Sequence, residues 1–199
     1  MSAFSDAALP PDAVERARSG DVAACEAIYR SFELPVFTLA RRLVPQRAAA
    51  EDLAQDVFVE VLTRLDQYAG RGSFAGWVRA IAVSKCLMHL RSPWQRGLRW
   101  IDGQVADESG EAWERMAGPH RDCGDEMDME RALARLPDTA RAVVWLHDVE
   151  GYTHAEIGAL FGSTPSFSKS QLARAHEKLR EWLQVSGVEA SCMPVSTSC

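Results

Sequence analysis

The fold of the second half of this chain is decided by one stretch, THAEIGALFGSTPSFSKSQLAR at residues 153–174. Thr153 and Glu156 have the spacing of a capping box, in which a hydroxyl and a carboxylate satisfy free backbone N–H groups at a helix start. Gly162 can adopt the positive φ of a sharp turn. Pro165 fits the first position of a following helix, where its missing N–H costs little. The stretch therefore predicts two short helices joined by a tight turn.

The second of these helices is typical of a helix that reads DNA. Thr164 can cap it, and its first turns carry cations, small hydroxyls and an amide. In helix-turn-helix proteins this part of the second helix meets base edges, while Lys and Arg neutralise phosphates. Gln171 can read adenine, and Arg174 can bind guanine or phosphate. We predict DNA contacts from Ser166, Phe167, Lys169, Ser170, Gln171 and Arg174. The alternative is a plain αα-corner whose surface cations only aid solubility.

The rest of the chain is also predicted to be helical. Apolar residues recur at three- and four-residue steps within 25–43, within 53–65 and within 74–90. Pro35 should kink the first of these helices, and Pro45 should end it. Because no stretch alternates apolar and polar residues, we predict an all-α fold. It has two small helical domains joined by an acidic flexible linker, and the second is a four-helix domain that contains the helix-turn-helix. The predicted limits are 11–96 for the first domain, 97–128 for the linker, 129–184 for the second domain and 185–199 for a disordered tail.

The charge is distributed unevenly along the chain. The net charge is −6, but residues 102–130 hold ten acids and two arginines, so the remainder carries a net charge of +2. Residues 85–99 contain four cations and no acid, and residues 163–180 contain four cations and one acid. An acidic chain of this kind is compatible with two nucleic-acid surfaces, because its acids are confined to one segment.

Composition excludes several other classes of protein. No apolar run is long enough for a membrane span, and the N-terminus lacks the pattern of a secretory signal, so we expect a cytoplasmic protein without membrane insertion. The five cysteines show no CxxC spacing, which argues against disulfides or zinc. His147, His154 and His176 invite a metal site, but no acid or cysteine completes a ligand set. We expect no metal, no cofactor and no catalytic residue.

Two parts of the chain resemble the extracytoplasmic-function (ECF) group of bacterial RNA polymerase sigma factors. AEDLAQDVFVEVLTRLDQY at 50–68, followed by GSFAGWVRAIA at 72–82, is similar to the family's core-binding and −10-reading region. ALARLPDTARAVVWLHDVEGYTHAEIGALFGST at 132–164, followed by KSQLARAHEKLR at 169–180, is similar to its −35-binding region. The order and spacing of these segments also agree with the family.

The resemblance implies that the helix at 51–65 docks on the coiled coil of the polymerase β′ subunit. The implied contacts are Asp52, Gln55 and Asp56, which share one helix face. Like charges at this spacing cost about 0.2–0.5 kcal/mol in an isolated helix. The alternative is that both acids only favour the positive N-terminal end of their helix, which offsets that cost.

The segment 68–91 resembles the part of the family that captures −10 bases from the non-template strand. An unstacked base needs an aromatic or apolar pocket, and its backbone needs nearby cations. The implied contacts are Arg71, Phe74, Arg79, Ser84, Lys85 and Arg91. Trp77 is at helical spacing with other apolar residues, so we assign it to the core and leave Phe74 open.

Both DNA-reading surfaces depart from the family pattern. The family usually has Asn and Asp where this chain has Ser84 and Met88, and GTVKSR where this chain has residues 166–171. The departures imply an unusual promoter preference, or weaker binding that needs an activator. The predicted function is a sigma factor that binds core RNA polymerase, through the β′ coiled coil and the β flap, and promoter DNA.

The resemblance also implies an anti-sigma partner that covers these surfaces. We expect the acidic linker to thread toward the polymerase active centre, where its carboxylates mimic nucleic acid. The rival interpretations are a sigma-like helix-turn-helix regulator that forms no productive holoenzyme, and an enzyme built on the histidines.

Overall fold

The computed structural model describes residues 3–91 and 129–189, which form helices and turns without any strand. The predicted all-α fold is confirmed, and the helices fall into two units. The first unit contains α1 (Ala13–Arg18), α2 (Val22–Leu43), α3 (Arg47–Thr63) and α4 (Phe74–Arg91). The second contains α5 (Met129–Arg135), α6 (Asp138–Val144), α7 (His154–Phe161) and α8 (Pro165–Glu189).

The second unit extends past residue 184, the end predicted for the second domain. The linker predicted at 97–128 lies outside the described residues. Helix α8 continues to Glu189, so the first residues of the tail predicted at 185–199 are helical. A formed helix gains one hydrogen bond for each residue added, and no proline interrupts the sequence at this point.

The first unit is built around the buried face of α2. Ile28, Phe32, Val36, Leu39 and Leu43 are almost fully buried there, at the predicted three- and four-residue steps. The Asp21 carboxylate caps this helix by accepting from the backbone N–H of Ala23 at 2.9 Å. Helix α2 runs through Pro35 as one element and ends before Pro45. The Cys86 thiol of α4 is buried in the same core, and burial raises its pKa to about 12.

The second unit contains the predicted helix-turn-helix in α7 and α8. The Glu156 carboxylate accepts from the Thr153 backbone N–H at 2.8 Å, and the Thr153 hydroxyl accepts from the Glu156 backbone N–H at 3.3 Å. Gly162 has φ of +63°, and α8 begins at Pro165. The capping box, the turn glycine and the helix start are therefore confirmed.

The sequence did not reveal the glycine that brings α7 and α8 together. A Cβ atom at Gly158 would lie 2.8 Å from the carbonyl carbon of Thr164 and 2.9 Å from its oxygen. Atoms in ordinary van der Waals contact are 3.4–4 Å apart, so only glycine fits at this position. The close approach fixes how α8 leaves the turn.

A π-helical turn at Trp145–Val149 follows α6. The Glu150 backbone N–H donates to the Trp145 carbonyl at 3.1 Å across this wider turn. The Trp145 indole also donates to the Glu150 carboxylate at 3.3 Å. The turn thereby brings the Glu150 side chain inward, where it is 6% exposed.

The two units contact each other at two places. Arg141 of α6 donates to the carbonyls of Arg42 and Leu43, each at 3.2 Å, at the C-terminal end of α2. On α4, Arg79 donates to the Glu150 carbonyl at 2.9 Å. These contacts join residues more than 70 positions apart in the chain, and nothing in the local sequence predicts them.

Candidate nucleic-acid interface

The implied polymerase-binding residues lie together on the exposed face of α3. Asp52, Gln55 and Asp56 are all exposed. Gln55 also lines an open cavity of about 500 Å³ between α2 and α3. Its other lining residues are Tyr29, Arg30, Glu33, Leu34, Phe37, Glu51, Ala54 and Phe58.

Sequence reasoning missed the apolar part of this surface. Leu34 is 71% exposed, and Tyr29, which the periodicity places on the buried face of α2, is 41% exposed. The sequence did contain a signal for this exposed surface, because Leu34 lies outside the apolar spacing of its helix. The Tyr29 ring packs on Phe58 at a centroid distance of 4.6 Å, so the tyrosine covers the edge of the core. An exposed apolar groove beside two carboxylates is typical of a protein-binding surface.

Both aromatic residues at the start of α4 contact the core. Phe74, which was left open between the core and DNA, is only 9% exposed, and Trp77, which was assigned to the core, packs against it half-buried. The Phe74 ring lies 5.7 Å from Phe32 and 5.2 Å from Tyr68, and these ring contacts hold it inward. Phe74 still lines a cavity of about 380 Å³ together with Tyr68 and Ser73.

The polar residues implied for the −10 strand have different surroundings. Arg71 and Ser84 are exposed, and Ser84 shares its face of α4 with Met88, which is 60% exposed. Lys85 pairs with Glu60 of α3 at 2.7 Å. Arg79 and Arg91 instead contact the second unit, at the carbonyls of Glu150 and Leu160 respectively. The structure therefore does not present these four cations on one open surface.

The predicted face of α8 is mostly open. Ser166, Lys169 and Ser170 are exposed, and Gln171 and Arg174 are half-buried. The exposed side chains follow the N-terminal turns of α8. The Ser170 hydroxyl donates to the Ser166 carbonyl at 2.9 Å, and the Arg174 Nε donates to the Ser170 carbonyl at 3.3 Å.

Two residues of this segment serve the scaffold. The Phe167 ring packs on Phe161 of α7 at 5.8 Å, which fixes the angle between the two helices. Ser168 is fully buried, and its hydroxyl lies 3.1 Å from His154 Nδ1. Phe167 was predicted to contact DNA, and the structure shows it half-buried between α7 and α8.

The structure brings the three histidines of the second unit near an acid that sequence reasoning did not place. The rings of His147 and His154 stack at 4.5 Å, and Asp148 lies 2.8 Å from His147 Nδ1 and 2.6 Å from His176 Nε2. Burial, followed by the charges of His147 and Lys169, lowers the pKa of His154. Among residues 3–91 and 129–189, no three such groups are arranged to hold a metal ion.

Comparison with known proteins identifies the family. Residues 28–96 match the family model for sigma-70 region 2, and residues 126–179 match that for sigma-70 region 4. CarQ, an RNA polymerase sigma factor of Myxococcus xanthus, is 31% identical over 170 residues, which cover 85% of this chain and 95% of CarQ. The ECF sigma factor SigE of Mycolicibacterium smegmatis is 31% identical over 157 residues, covering 74% of this chain and 57% of SigE.

The chain therefore belongs to the ECF group of sigma-70 family RNA polymerase sigma factors. It is a transcription initiation factor, and its family is one of non-catalytic transcription factors. The RNA polymerase sigma-H factor of Pseudomonas aeruginosa is also similar, with 26% identity over 180 residues that cover 86% of this chain and 92% of that protein. No helix of the described part is long and apolar enough to cross a membrane.

Two solved structures share the fold. One is the sigma factor RpoE in complex with the anti-sigma factor NepR from Bartonella quintana, with a TM-score of 0.53, 22% identity and coverage of 79% of this chain and 97% of RpoE. The other is CnrH in complex with the cytosolic domain of CnrY, with a TM-score of 0.50 and 19% identity. The match covers 87% of this chain and 96% of that chain.

Proposed function

We propose that the first unit of this sigma factor binds core RNA polymerase and the −10 element, and that the second unit reads the −35 element. The observation that carries the proposal is the first two turns of α8. Ser166, Lys169 and Ser170 are exposed there, while Phe167 and Ser168 hold the helix against α7. An exposed polar start on a firmly packed second helix is what a helix-turn-helix needs to enter a major groove.

The polymerase-binding role is proposed for α3 and the cavity beside it. Asp52, Gln55 and Asp56 supply charge and hydrogen bonds, and Leu34 and Tyr29 supply exposed apolar area. Interfaces combine an apolar centre with a polar rim, and this surface has both. The proposed partner is the β′ coiled coil, with the β flap holding the second unit. Binding at two separate elements multiplies two weak contacts through a high effective concentration.

The remaining parts of the proposal concern regulation. Because two solved structures of this fold contain a sigma factor with NepR or with CnrY, we propose an anti-sigma partner for this chain. The unusual residues at Ser84, Met88 and 166–171 would give an atypical promoter or a need for an activator. The acidic segment 102–128 lies outside the described residues, and its threading toward the polymerase active centre stays a prediction. We also place the protein in the cytoplasm, where polymerase and promoters are.

The test is in vitro transcription with core polymerase on a promoter library. We expect initiation from promoters with a common −10 and −35 sequence. Lys169→Ala should weaken promoter binding evenly across sequences and reduce its salt dependence by about one phosphate contact. The matched control is Lys178→Ala further along α8, where the lysine pairs with Glu181.

Two results would count against the proposal. If the chain forms no complex with core polymerase, it acts as a sigma-like DNA-binding regulator. If Lys169→Ala and Lys178→Ala weaken promoter binding equally, the start of α8 does not contact DNA.

A further inference from the structure

The loop between α3 and α4, at residues 68–73, carries one of the cations proposed for the −10 strand. Residues 69–73 are all exposed, Arg71 among them, so the loop gains little from packing. It also contains Gly70 and Gly72, and glycine loses more conformational freedom on ordering than any other residue. A loop of this kind needs bonds from other parts of the chain to keep one shape.

Arg18 of α1 supplies such bonds at the start of the loop. Its Nε donates to the Leu65 carbonyl at 3.0 Å, and its Nη2 donates to the Tyr68 carbonyl. These carbonyls lie at either end of the short 3₁₀ turn at Leu65–Gln67 that follows α3. Because a guanidinium presents its N–H groups in a rigid planar fork, binding both carbonyls fixes the distance between them. The turn therefore leads into the loop in one direction.

Helix α1 is a firm base for this contact. Val14 and Ala17 are buried in the core of the first unit, and the Arg18 Nη1 donates to the Glu15 carboxylate at 2.6 Å. The Arg18 side chain is only 24% exposed. Its guanidinium already has three protein acceptors, which favours a role through the loop over direct contact with a phosphate.

Tyr68 carries the constraint from Arg18 to the far end of the loop. Its carbonyl is bound by Arg18, and its hydroxyl donates to the Gly72 carbonyl at 2.8 Å. Its ring lies 5.2 Å from the Phe74 ring and 5.6 Å from the Trp77 ring. The loop is therefore held at both ends and joined to the start of α4.

Arg18 lies outside the segment by which the family is recognised. The match to sigma-70 region 2 begins at residue 28, and α1 ends at Arg18. The carbonyls that Arg18 binds are 47 and 50 residues further along the chain. Neither the family match nor the local sequence assigns a role to this arginine, and the tertiary contacts do.

We propose that Arg18 is a positioning residue for the −10 contact, because it holds the loop at 68–73 in the shape that presents Arg71 to the DNA strand. The inference rests on the −10 role proposed for this loop. A loop that is already ordered loses less conformational freedom when the strand binds, and this raises the affinity. Without Arg18 the loop samples several shapes, and only the fraction in the right shape binds.

Two substitutions and a control test this role. Arg18→Met keeps the apolar part of the side chain and removes all of its donors. Arg18→Lys keeps the charge but not the planar fork, so it separates hydrogen bonding from net charge. The control is Arg16→Met, which removes a guanidinium from the same helix, where Arg16 pairs with Asp12 and Asp21. Thermal unfolding shows that each variant is folded.

The first measurement is limited trypsin digestion of the free chain, read by mass spectrometry. Trypsin cleaves after Arg71 when the loop opens, and after Arg30 in α2 only when that helix unfolds. The ratio of the two rates therefore isolates local opening of the loop. We expect Arg18→Met to raise this ratio about threefold to tenfold, Arg18→Lys to raise it less, and Arg16→Met to leave it unchanged.

The second measurement is binding of the holoenzyme to a single-stranded oligonucleotide that carries the −10 sequence selected from the promoter library. We expect Arg18→Met to lower this affinity about threefold to tenfold, with unchanged affinity of the chain for core polymerase. In an Arg71→Ala background the same substitution should have less than about a twofold effect, because the side chain that the loop positions is absent.

The outcomes separate this inference from the proposed function. If Arg18→Met left the cleavage ratio unchanged, Arg18 would not order the loop. If it lowered DNA affinity by the same factor with and without Arg71, its role would be general stability and not positioning. Either result overturns the inference, while a loss of affinity in Arg71→Ala still supports the proposed function. If Arg71→Ala changed nothing, the −10 role of the loop would fail, and the inference with it.

Discussion

Replacing Gly158 by alanine tests the packing on which the helix-turn-helix depends. The added methyl group would meet the backbone of Thr164 at 2.8–2.9 Å and the nitrogen of Pro165 at 3.1 Å. These neighbours are main-chain atoms at the start of α8, so no side-chain rotation can relieve the overlap. Helix α8 must instead move away from α7 by about 0.5–1 Å, a gap that forfeits a quarter to a half of the van der Waals attraction across it.

The expected cost is the difference of two effects. Overpacking a close contact costs about 1–3 kcal/mol. Alanine is favoured over glycine within a helix by up to about 1 kcal/mol, which acts in the opposite direction. The net loss of unfolding free energy should therefore be about 1–2 kcal/mol. For a chain of this size each kcal/mol corresponds to roughly 2–4 °C in melting temperature.

The measurement is urea and thermal unfolding, followed by promoter binding of the holoenzyme. Gly76→Ala is the matched control, because its added Cβ would meet only the Ser73 hydroxyl at 3.1 Å. The Ser73 hydroxyl accepts from the Gly76 backbone N–H at 3.0 Å, and a small shift of this side chain can accommodate the methyl group, so the control should lose less stability than Gly158→Ala. If Gly158→Ala were as stable as the control and bound the promoter equally well, the close approach of α7 and α8 would not constrain the fold.

Three further predictions concern the second unit and the polymerase surface. Thr153→Ala removes the cap of α7 and should cost about 1 kcal/mol in urea unfolding, an effect that Thr153→Ser should largely restore. His154, whose pKa is lowered, resists protonation in the folded state, so stability should fall as the pH drops below about 6.5. His154→Gln should show a smaller loss of unfolding free energy between about pH 7.5 and about pH 5.5, and an equal loss would contradict this role. Asp52→Asn combined with Asp56→Asn should weaken core-polymerase binding about tenfold, with unchanged thermal stability.

The sequence predicted well those features that depend on neighbouring residues. The capping box of Thr153 and Glu156, the turn at Gly162 and the start of α8 at Pro165 each involve residues only a few positions apart. Most of the buried face of α2 also follows from spacing alone, with Tyr29 as an exception. Such features can be predicted without knowing which other residues pack against them.

The features that the sequence did not predict depend on distant parts of the chain. The local sequence around Arg141 gives no sign that this arginine is buried. It is buried because it binds carbonyls of α2 that are 98 and 99 residues away. The spacing of Phe74 and Trp77 places both on one helix side, and contact with Phe32 decides which ring is buried. At position 79 the sequence shows a cation, but only the tertiary structure shows that Arg79 contacts Glu150 and Tyr152 of the second unit.

The burial of Cys86 gives the first unit an internal reporter of its own opening. Alkylating reagents attack the thiolate, and a thiol with a pKa of about 12 is almost wholly protonated near neutral pH. The side chain is also 1% exposed, so a reagent reaches it only after the surrounding helices separate. Cys25 is half-buried and serves as an internal reference within the same unit. The ratio of the two labelling rates, read by mass spectrometry of peptides, therefore measures how often the core opens in the native protein.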